Sequence, residues 1–357
     1  MRAVRVLLAG GGSGGSATPV LAVAQALRRR QPYTEFLYVG TRDGPEAALA
    51  EAQELPFAGI ATGKLRRYWD VQNFVDPLRV ALGLGQAYGL ARQFRPQVAF
   101  AAGGFGAVPP IVAARLAGAR VLIHQQDVTP GLANRILVPW AQRITVSLPS
   151  SLAHFPRGRT TVSGNPVRQE ILAADSSAAY AALSLDPALP LVVVTGGGTG
   201  ALGLNRLIAA AAPRLIESVQ VVHLTGRGRG VPAATDSPRY QAREFLIDEM
   251  PDTLAAATVV VSRAGMGTLT ELAALGKPTI VIPLPGSHQW ANAHAFARLG
   301  AIEVADQDAL TPATLAERIL GLIGDAARRE ALSIALGRSM PRDAAERIAD
   351  ALLALSS

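Results

Sequence analysis

The chain predicts an α/β protein of two Rossmann-like domains, each a parallel sheet with crossover helices. Three observations carry that expectation. Short β-branched runs alternate with alanine- and leucine-rich stretches of helical period, the rhythm of strand–helix–strand units. An apolar run leading into a glycine cluster and then a helical pattern occurs twice. The length of 357 residues, 49% of them hydrophobic, suffices for two cores of ordinary domain size.

The first cycle opens with the apolar run 4–9, which ends in Gly10-Gly11-Gly12-Ser13-Gly14-Gly15. Val20, Leu21, Val23, Ala24 and Leu27 then recur at helical spacing. Further strands are expected at 36–39, 98–101, 121–124 and 144–147. Ser163-Gly164-Asn165-Pro166 punctuates the chain, and a second cycle follows with strands at 191–195, 220–224, 258–262 and 279–283. Its first strand runs into Gly196-Gly197-Gly198-Thr199-Gly200 before a helix near Leu204. The expected divisions are therefore 1–163, 164–338 and a terminal segment 339–357. Within the last, residues 344–355 read as an amphipathic helix that suits several packing sites, the first domain included.

A glycine turn entering a helix has a chemical use. The helix N-terminus presents unpaired N–H groups and positive dipole, and glycine lets phosphate or sugar oxygens approach the backbone. Ligands of open α/β sheets bind beyond the carboxyl ends of the strands, so two such domains facing each other would enclose a cleft. The first loop is not the dinucleotide fingerprint. Gly10, Gly12 and Gly15 fit the glycine spacing, but Gly40 and Thr41 stand where an acidic residue should close the second strand, with Asp43 beyond. A dehydrogenase is the weakest reading.

Composition narrows the chemistry further. Cysteine is absent, which removes thiolate metal sites and cysteine nucleophiles. The five histidines, at 124, 154, 223, 288 and 294, form no ligand pair at metal spacing, so neither metal nor cofactor is expected. The N-terminal run lacks the pattern of a signal peptide, which points to the cytoplasm, and no apolar stretch is long enough to span a membrane. Charge is unevenly shared: residues 1–163 hold 18 basic and 8 acidic side chains, a net of +10, whereas 164–357 carry −3. The basic half suits an anion, be it nucleic acid, anionic lipid or an anionic substrate. Within it, Lys64-Leu65-Arg66-Arg67-Tyr68-Trp69 precedes Phe74, Leu78, Val80, Leu82 and Leu84, with Arg79, Arg92 and Arg95 interspersed. That mixture fits a lipid headgroup interface, and equally a helix buried on the sheet with solvated arginines.

Several motifs together resemble the MurG family, peripheral membrane glycosyltransferases that add N-acetylglucosamine to lipid I in peptidoglycan synthesis. The first glycine turn with Thr18-Pro19 and Leu21-Ala22-Val23-Ala24 is similar to the family's first loop, and Gly103-Gly104-Phe105 to its second. His124-Gln125-Gln126-Asp127 with Pro130-Gly131-Leu132-Ala133-Asn134-Arg135 resembles its third. Gly164-Asn165-Pro166-Val167-Arg168 looks like its interdomain linker. Gly196–Ala201 with Asn205, Ser262-Arg263-Ala264-Gly265 with Glu271, and His288-Gln289 with Asn292 complete a match over nearly the whole chain.

The resemblance implies a glycosyltransferase B fold and a metal-independent, inverting transfer from UDP-N-acetylglucosamine to lipid I. The expected partners are those two substrates and an anionic membrane surface at the cytoplasmic face, with no nucleic acid. It assigns the donor to Asn134, Arg168, Gly198, Thr199, Asn205, Ile247, Arg263, Glu271, His288, Gln289 and Asn292. Glu271 takes the ribose hydroxyls, and Ile247 meets uracil or is an ordinary core isoleucine. Ser13, Gly14, Gly15, Gly103, Gly104 and Phe105 are placed at the acceptor pyrophosphate.

The chain departs from the family at the presumed base. Ser16 stands for the family's histidine, Gln125 for its glutamate and Asp127 for its asparagine. An attacking hydroxyl must lose its proton, so His124, Asp127 and Ser16 are the catalytic candidates, with Asp127 expected to raise the pKa of His124 by its charge. The competing expectations are a transferase with another acceptor or another nucleotide sugar, and a catalytically weak relative that only binds nucleotide sugar.

Overall fold

The computed structural model describes residues 3–11, 14–42, 44, 46–62, 72–197 and 200–356. It divides into two compact units: Met1–Arg168 with Pro341–Ser357, and Gln169–Met340.

The first unit holds a seven-stranded sheet, β1 (Arg5–Ala9), β2 (Glu35–Thr41), β3 (Phe57–Ile60), β4 (Val98–Ala101), β5 (Arg120–Gln125), β6 (Arg143–Val146) and β7 (Thr160–Val162). Their order is β3-β2-β1-β4-β5-β6-β7, every pairing parallel. Both faces of the sheet are covered. Val6 and Leu8 enter one apolar cluster with the helix Gly14–Arg30, while Leu7 and Ala9 enter another with the helices Gln72–Phe94 and Val108–Leu116. Strands buried on both sides read as unbroken apolar runs, which is why these were legible.

The second unit holds β8 (Leu191–Thr195), β9 (Gln220–Leu224), β10 (Tyr240–Arg243), β11 (Val259–Ser262), β12 (Thr279–Val281) and β13 (Glu303–Val304). Again the pairings are parallel, in the order β10-β9-β8-β11-β12-β13. Its core joins Val192, Val194, Val259 and Val261 to Leu204, Ile208, Leu315 and Ile319 from flanking helices.

The terminal helix, Ala344–Ser356, returns to the first unit. Ile348, Ala349 and Leu352 are fully buried there with Val20, Val23 and Leu27. Arg29 and Arg30, at the C-terminal end of the helix they extend, pair with Glu346 and Asp350 at 2.7 Å each. These ion pairs are exposed and contribute little; the apolar contact holds the helix in place.

Candidate active site

Strand order locates the site in each unit. The sheet of the first unit reverses direction of winding between β1 and β4, and that of the second between β8 and β11. In open parallel sheets the crevice for a ligand opens at this switch point, beyond the carboxyl ends of the two strands. Those four strand ends lead into Gly10–Gly11, Ala102–Gly104, Gly196–Gly197 and Arg263–Gly265. The motifs singled out in the sequence therefore lie where topology puts a ligand.

In the first unit the two loops touch. Gly104 has φ 84°, and a Cβ there would strike the Gly11 carbonyl oxygen and lie 2.9 Å from Ser16 Oγ. Gly103 has φ 92°, another conformation that side chains resist. Ser16 is buried in the first turns of the helix Gly14–Arg30, and Phe105 is half-buried. Gly14 and Gly15 begin that helix, while Ser13 lies outside the described residues.

His124, at the end of β5, is fully enclosed. Its Nε2 faces Asn165 Oδ1 at 2.9 Å and its Nδ1 faces Thr145 Oγ1 at 2.9 Å. The amide oxygen can only accept, so Nε2 carries the proton and Nδ1 accepts from the threonine. Burial pulls the histidine pKa down to about 4, against the opposing pull of these hydrogen bonds. The expectation that Asp127 raises it is therefore overturned: desolvation outweighs any nearby charge, and both ring nitrogens are committed to structure. His124 is not an available base. Asp127 is half-buried in the turn that follows.

Gln125 shapes that turn. Its Nε2 donates to the carbonyls of Asp127 (2.8 Å) and Thr129 (3.3 Å), and its Oε1 accepts from Asn134 Nδ2 (2.7 Å). Asn134 also donates to the His124 carbonyl at 2.9 Å, and its buried Oδ1 has no partner among the described residues. Asn134 thus braces the 124–130 turn of the first unit, beside Gly103.

The second unit shows a similar division between presented and bracing residues. Gly197 (φ 78°) and Gly200 (φ 69°) close a turn through a Gly200 N–H bond to the Gly197 carbonyl at 2.9 Å. Gly198 and Thr199 lie outside the described residues. Asn205 is fully buried: Nδ2 donates to the Thr225 and Arg229 carbonyls, each at 2.9 Å, and Oδ1 accepts from His223 Nε2 at 3.1 Å. His223 Nδ1 accepts from Tyr240 Oη at 2.6 Å. Burial lowers the His223 pKa to about 4 and pushes the Tyr240 phenol up to about 12. Asn205 thus ties the loop after β9 to the helix after the glycine turn, and its side chain is spent; the expectation of a direct donor contact is corrected. His223 and Tyr240 were not foreseen, because a strand histidine gives no signal of its partner.

Arg263 is likewise inward. Its Nη1 donates to the carbonyls of Ile282 (2.9 Å) and Pro283 (3.1 Å) and its Nη2 to Gln307 Oε1, while its buried Nε has no partner among the described residues. Burial lowers its pKa. Asn292 is fully buried and donates to the Ala264 carbonyl at 3.0 Å, a second brace. Gln289 accepts from the Leu284 N–H at 3.0 Å, next to exposed His288. Glu271 is half-buried on the helix Met266–Leu275. Arg168 is half-buried where the chain leaves the first unit for the second. Ile247 is 75% exposed, which removes the core-isoleucine alternative; Phe245 nearby is also exposed, with the Arg227 guanidinium 5.6 Å from its ring centre.

Because every strand is parallel, the loops after β8, β9, β10, β11 and β12 share one edge of this sheet. The helices Leu202–Leu215 and Met266–Leu275 begin at that edge, and among the described residues neither has a side-chain cap on its first N–H groups. Together they leave uncapped donors and positive dipole facing the crevice. Among the described residues no group of three histidine or acidic side chains forms a metal cluster.

The sequence and this architecture match one family end to end. The description "Glycosyltransferase family 28 N-terminal domain" fits residues 6–146, and "Glycosyltransferase family 28 C-terminal domain" fits residues 191–348. The chain belongs to glycosyltransferase family 28, in its MurG branch. A family 28 relative from Lachnospira eligens is 34% identical over 348 residues, covering 96% of this chain and 97% of the relative. One from Treponema pallidum is 40% identical over 311 residues, 83% of this chain and 81% of its own. Both are named UDP-N-acetylglucosamine–N-acetylmuramyl-(pentapeptide) pyrophosphoryl-undecaprenol N-acetylglucosamine transferase. Among solved structures, MurG of Acinetobacter baumannii superimposes with TM-score 0.74 at 23% identity, over 98% of this chain and 99% of that one. The glycosyltransferase of kitacinnamycin gives 0.75 at 20%, over 99% and 100%. At such identities these two establish the shared glycosyltransferase B fold.

Proposed function

We propose that this family 28 chain moves N-acetylglucosamine from UDP-N-acetylglucosamine to lipid I, the undecaprenyl-pyrophosphoryl muramyl pentapeptide, with inversion at the anomeric carbon. The observation that carries the reading is the end-to-end match to relatives named for that reaction. The geometry supports it with a glycine loop at the switch point of each unit.

The second unit holds the donor. Glu271 accepts from the ribose hydroxyls, exposed Ile247 meets the uracil, and Gln289 and His288 meet the sugar. As the C1–O bond breaks, negative charge grows on the departing diphosphate. Gly198, Thr199, the two uncapped helix starts and the buried cation of Arg263 oppose that charge, and Arg168 adds a second cation. The acceptor hydroxyl attacks the anomeric carbon from the opposite face and loses its proton to Asp127, the candidate carboxylate left once His124 is withdrawn. Ser13, Gly14, Gly15, Gly103, Gly104 and Phe105 receive the acceptor's pyrophosphate, and Ser16 beneath Gly104 supports that loop.

The domain boundaries follow the same division of labour: 1–163 for acceptor and membrane, 164–338 for the donor, and 339–357 returning to the first. Among the described residues no helix is long and apolar enough to cross a membrane. The protein acts instead as a peripheral component at the cytoplasmic face, where the +10 half meets anionic lipid. Exposed Leu116, Leu132 and Ile136 beside Arg115 and Arg135 offer apolar and basic contacts for that surface. The basic segment 64–69 lies outside the described residues.

The test is transfer from labelled UDP-N-acetylglucosamine to a lipid I analogue by the parent protein, Asp127→Ala and Ser16→His. Asp127→Ala should lower kcat by about 10²–10⁴-fold, the usual contribution of a general base. UDP binding without transfer by the parent or by Ser16→His would overturn the reading in favour of a nucleotide-sugar-binding relative, and transfer only to a different acceptor would reassign the substrate.

A further inference from the structure

Beneath the first glycine loop lies a polar floor that the reaction does not use. Glu46 is fully buried, and its Oε1 accepts from the Thr41 N–H at 2.7 Å. Its Oε2 has no partner among the described residues, and neither does the buried Tyr38 hydroxyl. Four glycines crowd these two side chains. A Cβ on Gly10 would lie 2.5 Å from Tyr38 Oη, one on Gly11 2.5 Å from Glu46 Oε1, one on Gly40 2.8 Å from Glu46 Cγ, and one on Gly44 against the same carboxylate. Thr41 extends the floor, since a Cβ on Gly106 would lie 2.9 Å from its Oγ1. Gly11 in turn bears directly on Gly104.

Such an arrangement is unfavourable for stability alone. Each buried polar atom without a partner loses its hydration and gains no hydrogen bond in return, and phenylalanine at 38 would avoid one of those costs. What the two side chains do supply is a rigid surface at van der Waals distance from the backbone of Gly10 and Gly11, with no Cβ between.

We propose that Glu46 is a positioning residue for the acceptor: with Tyr38 it sets the height of Gly10 and Gly11 against Gly104, and so the affinity of the loop for the acceptor's pyrophosphate. The inference rests on the reading that this loop takes the acceptor. Glu46 touches no substrate and acts through the backbone above it. Because the donor is assigned to the other unit, the effect falls on one substrate only.

The experiment is steady-state transfer to a lipid I analogue by the parent, Tyr38→Phe, Glu46→Gln and Glu46→Ala, with UDP affinity and melting temperature measured on each. Glu46→Ala should raise the acceptor KM about tenfold or more while donor KM and UDP affinity stay within about twofold. Glu46→Gln keeps an oxygen for the Thr41 N–H and should recover most of that loss. Tyr38→Phe, which removes only an unpartnered hydroxyl, should melt at or above the parent's temperature yet raise the acceptor KM by about threefold. An acceptor KM unmoved in Glu46→Ala and Tyr38→Phe overturns the proposal, as does glutamine no better than alanine, or both substrates' KM values rising together. Should Glu46→Ala fail to fold, Tyr38→Phe decides alone. A parent that transfers nothing to the analogue overturns the acceptor reading and the positioning role with it, whereas an active parent with unmoved variants overturns the positioning role only.

Discussion

Acidification below the ordinary histidine range should destabilise both units. His124 and His223 are held neutral, each with a folded pKa of about 4 set by burial, against an ordinary 6.5. When pH falls below the ordinary value, the unfolded chain takes up a proton at each position and the folded chain does not, so stability is lost as pH drops through the window from 6.5 toward 4. It is fully present above that window. At pH 5 the unfolded imidazole is almost wholly charged and the folded one about one-tenth charged, which corresponds to a loss of about 2 kcal/mol per histidine relative to pH 7. The check has two parts. Imidazole C–H resonances of the folded protein should show His124 and His223 still neutral at pH 5. Urea midpoints should fall between pH 7 and pH 5, by less in His124→Gln or His223→Gln. Two imidazoles titrating near 6.5 in place of these, or a midpoint insensitive to pH, would refute the claim that desolvation rules both sites. The same reasoning predicts that no limb of the kcat/KM profile belongs to His124.

Three further outcomes follow from single side chains. Gln125→Glu replaces two donated hydrogen bonds by a carboxylate facing the Asp127 and Thr129 carbonyls, so urea unfolding should show a loss of about 1–3 kcal/mol, and the family's glutamate should fail to substitute here. Glu271→Ala should weaken UDP binding by about 1–3 kcal/mol in calorimetry without moving the melting temperature; unchanged affinity would remove the residue from the ribose. Leu352→Ala opens a cavity in a fully buried position, costing about 2–5 kcal/mol in the first unit while UDP binding persists.

The interior strands were legible because both of their faces are covered. The four that sequence reasoning missed are β3, β7, β10 and β13, and these are the edges of the two sheets. Edge strands are short and half-exposed, so Phe57–Ile60 or Tyr240–Arg243 carries no unbroken apolar run to announce itself. The glycine loops were visible as sequence, and the reversal of strand order explains why they sit at strand ends that matter. Roles within the motifs were less legible. Asn134, Asn205 and Asn292 stand in the resembling motifs, yet each donates its amide to backbone carbonyls of a neighbouring loop. A side chain that braces a loop and one that touches a ligand leave the same mark in a sequence. His124 shows the limit from another side, since its pKa depends on enclosure by Thr145 and Asn165, residues far along the chain. Glu46 gave no sign either, because its contact with Gly11 joins residues far apart in sequence.

The terminal helix gives the chain an unusual order of assembly. Val20, Val23 and Leu27 wait for Ile348 and Leu352, which leave the ribosome only after the entire second unit. The first half therefore emerges with an apolar flank that awaits its cover, a surface for chaperones or for aggregation until the helix Ala344–Ser356 has been made. A frameshift near residue 343 would leave every proposed donor contact intact and still strand the earlier half of the protein in a half-built state.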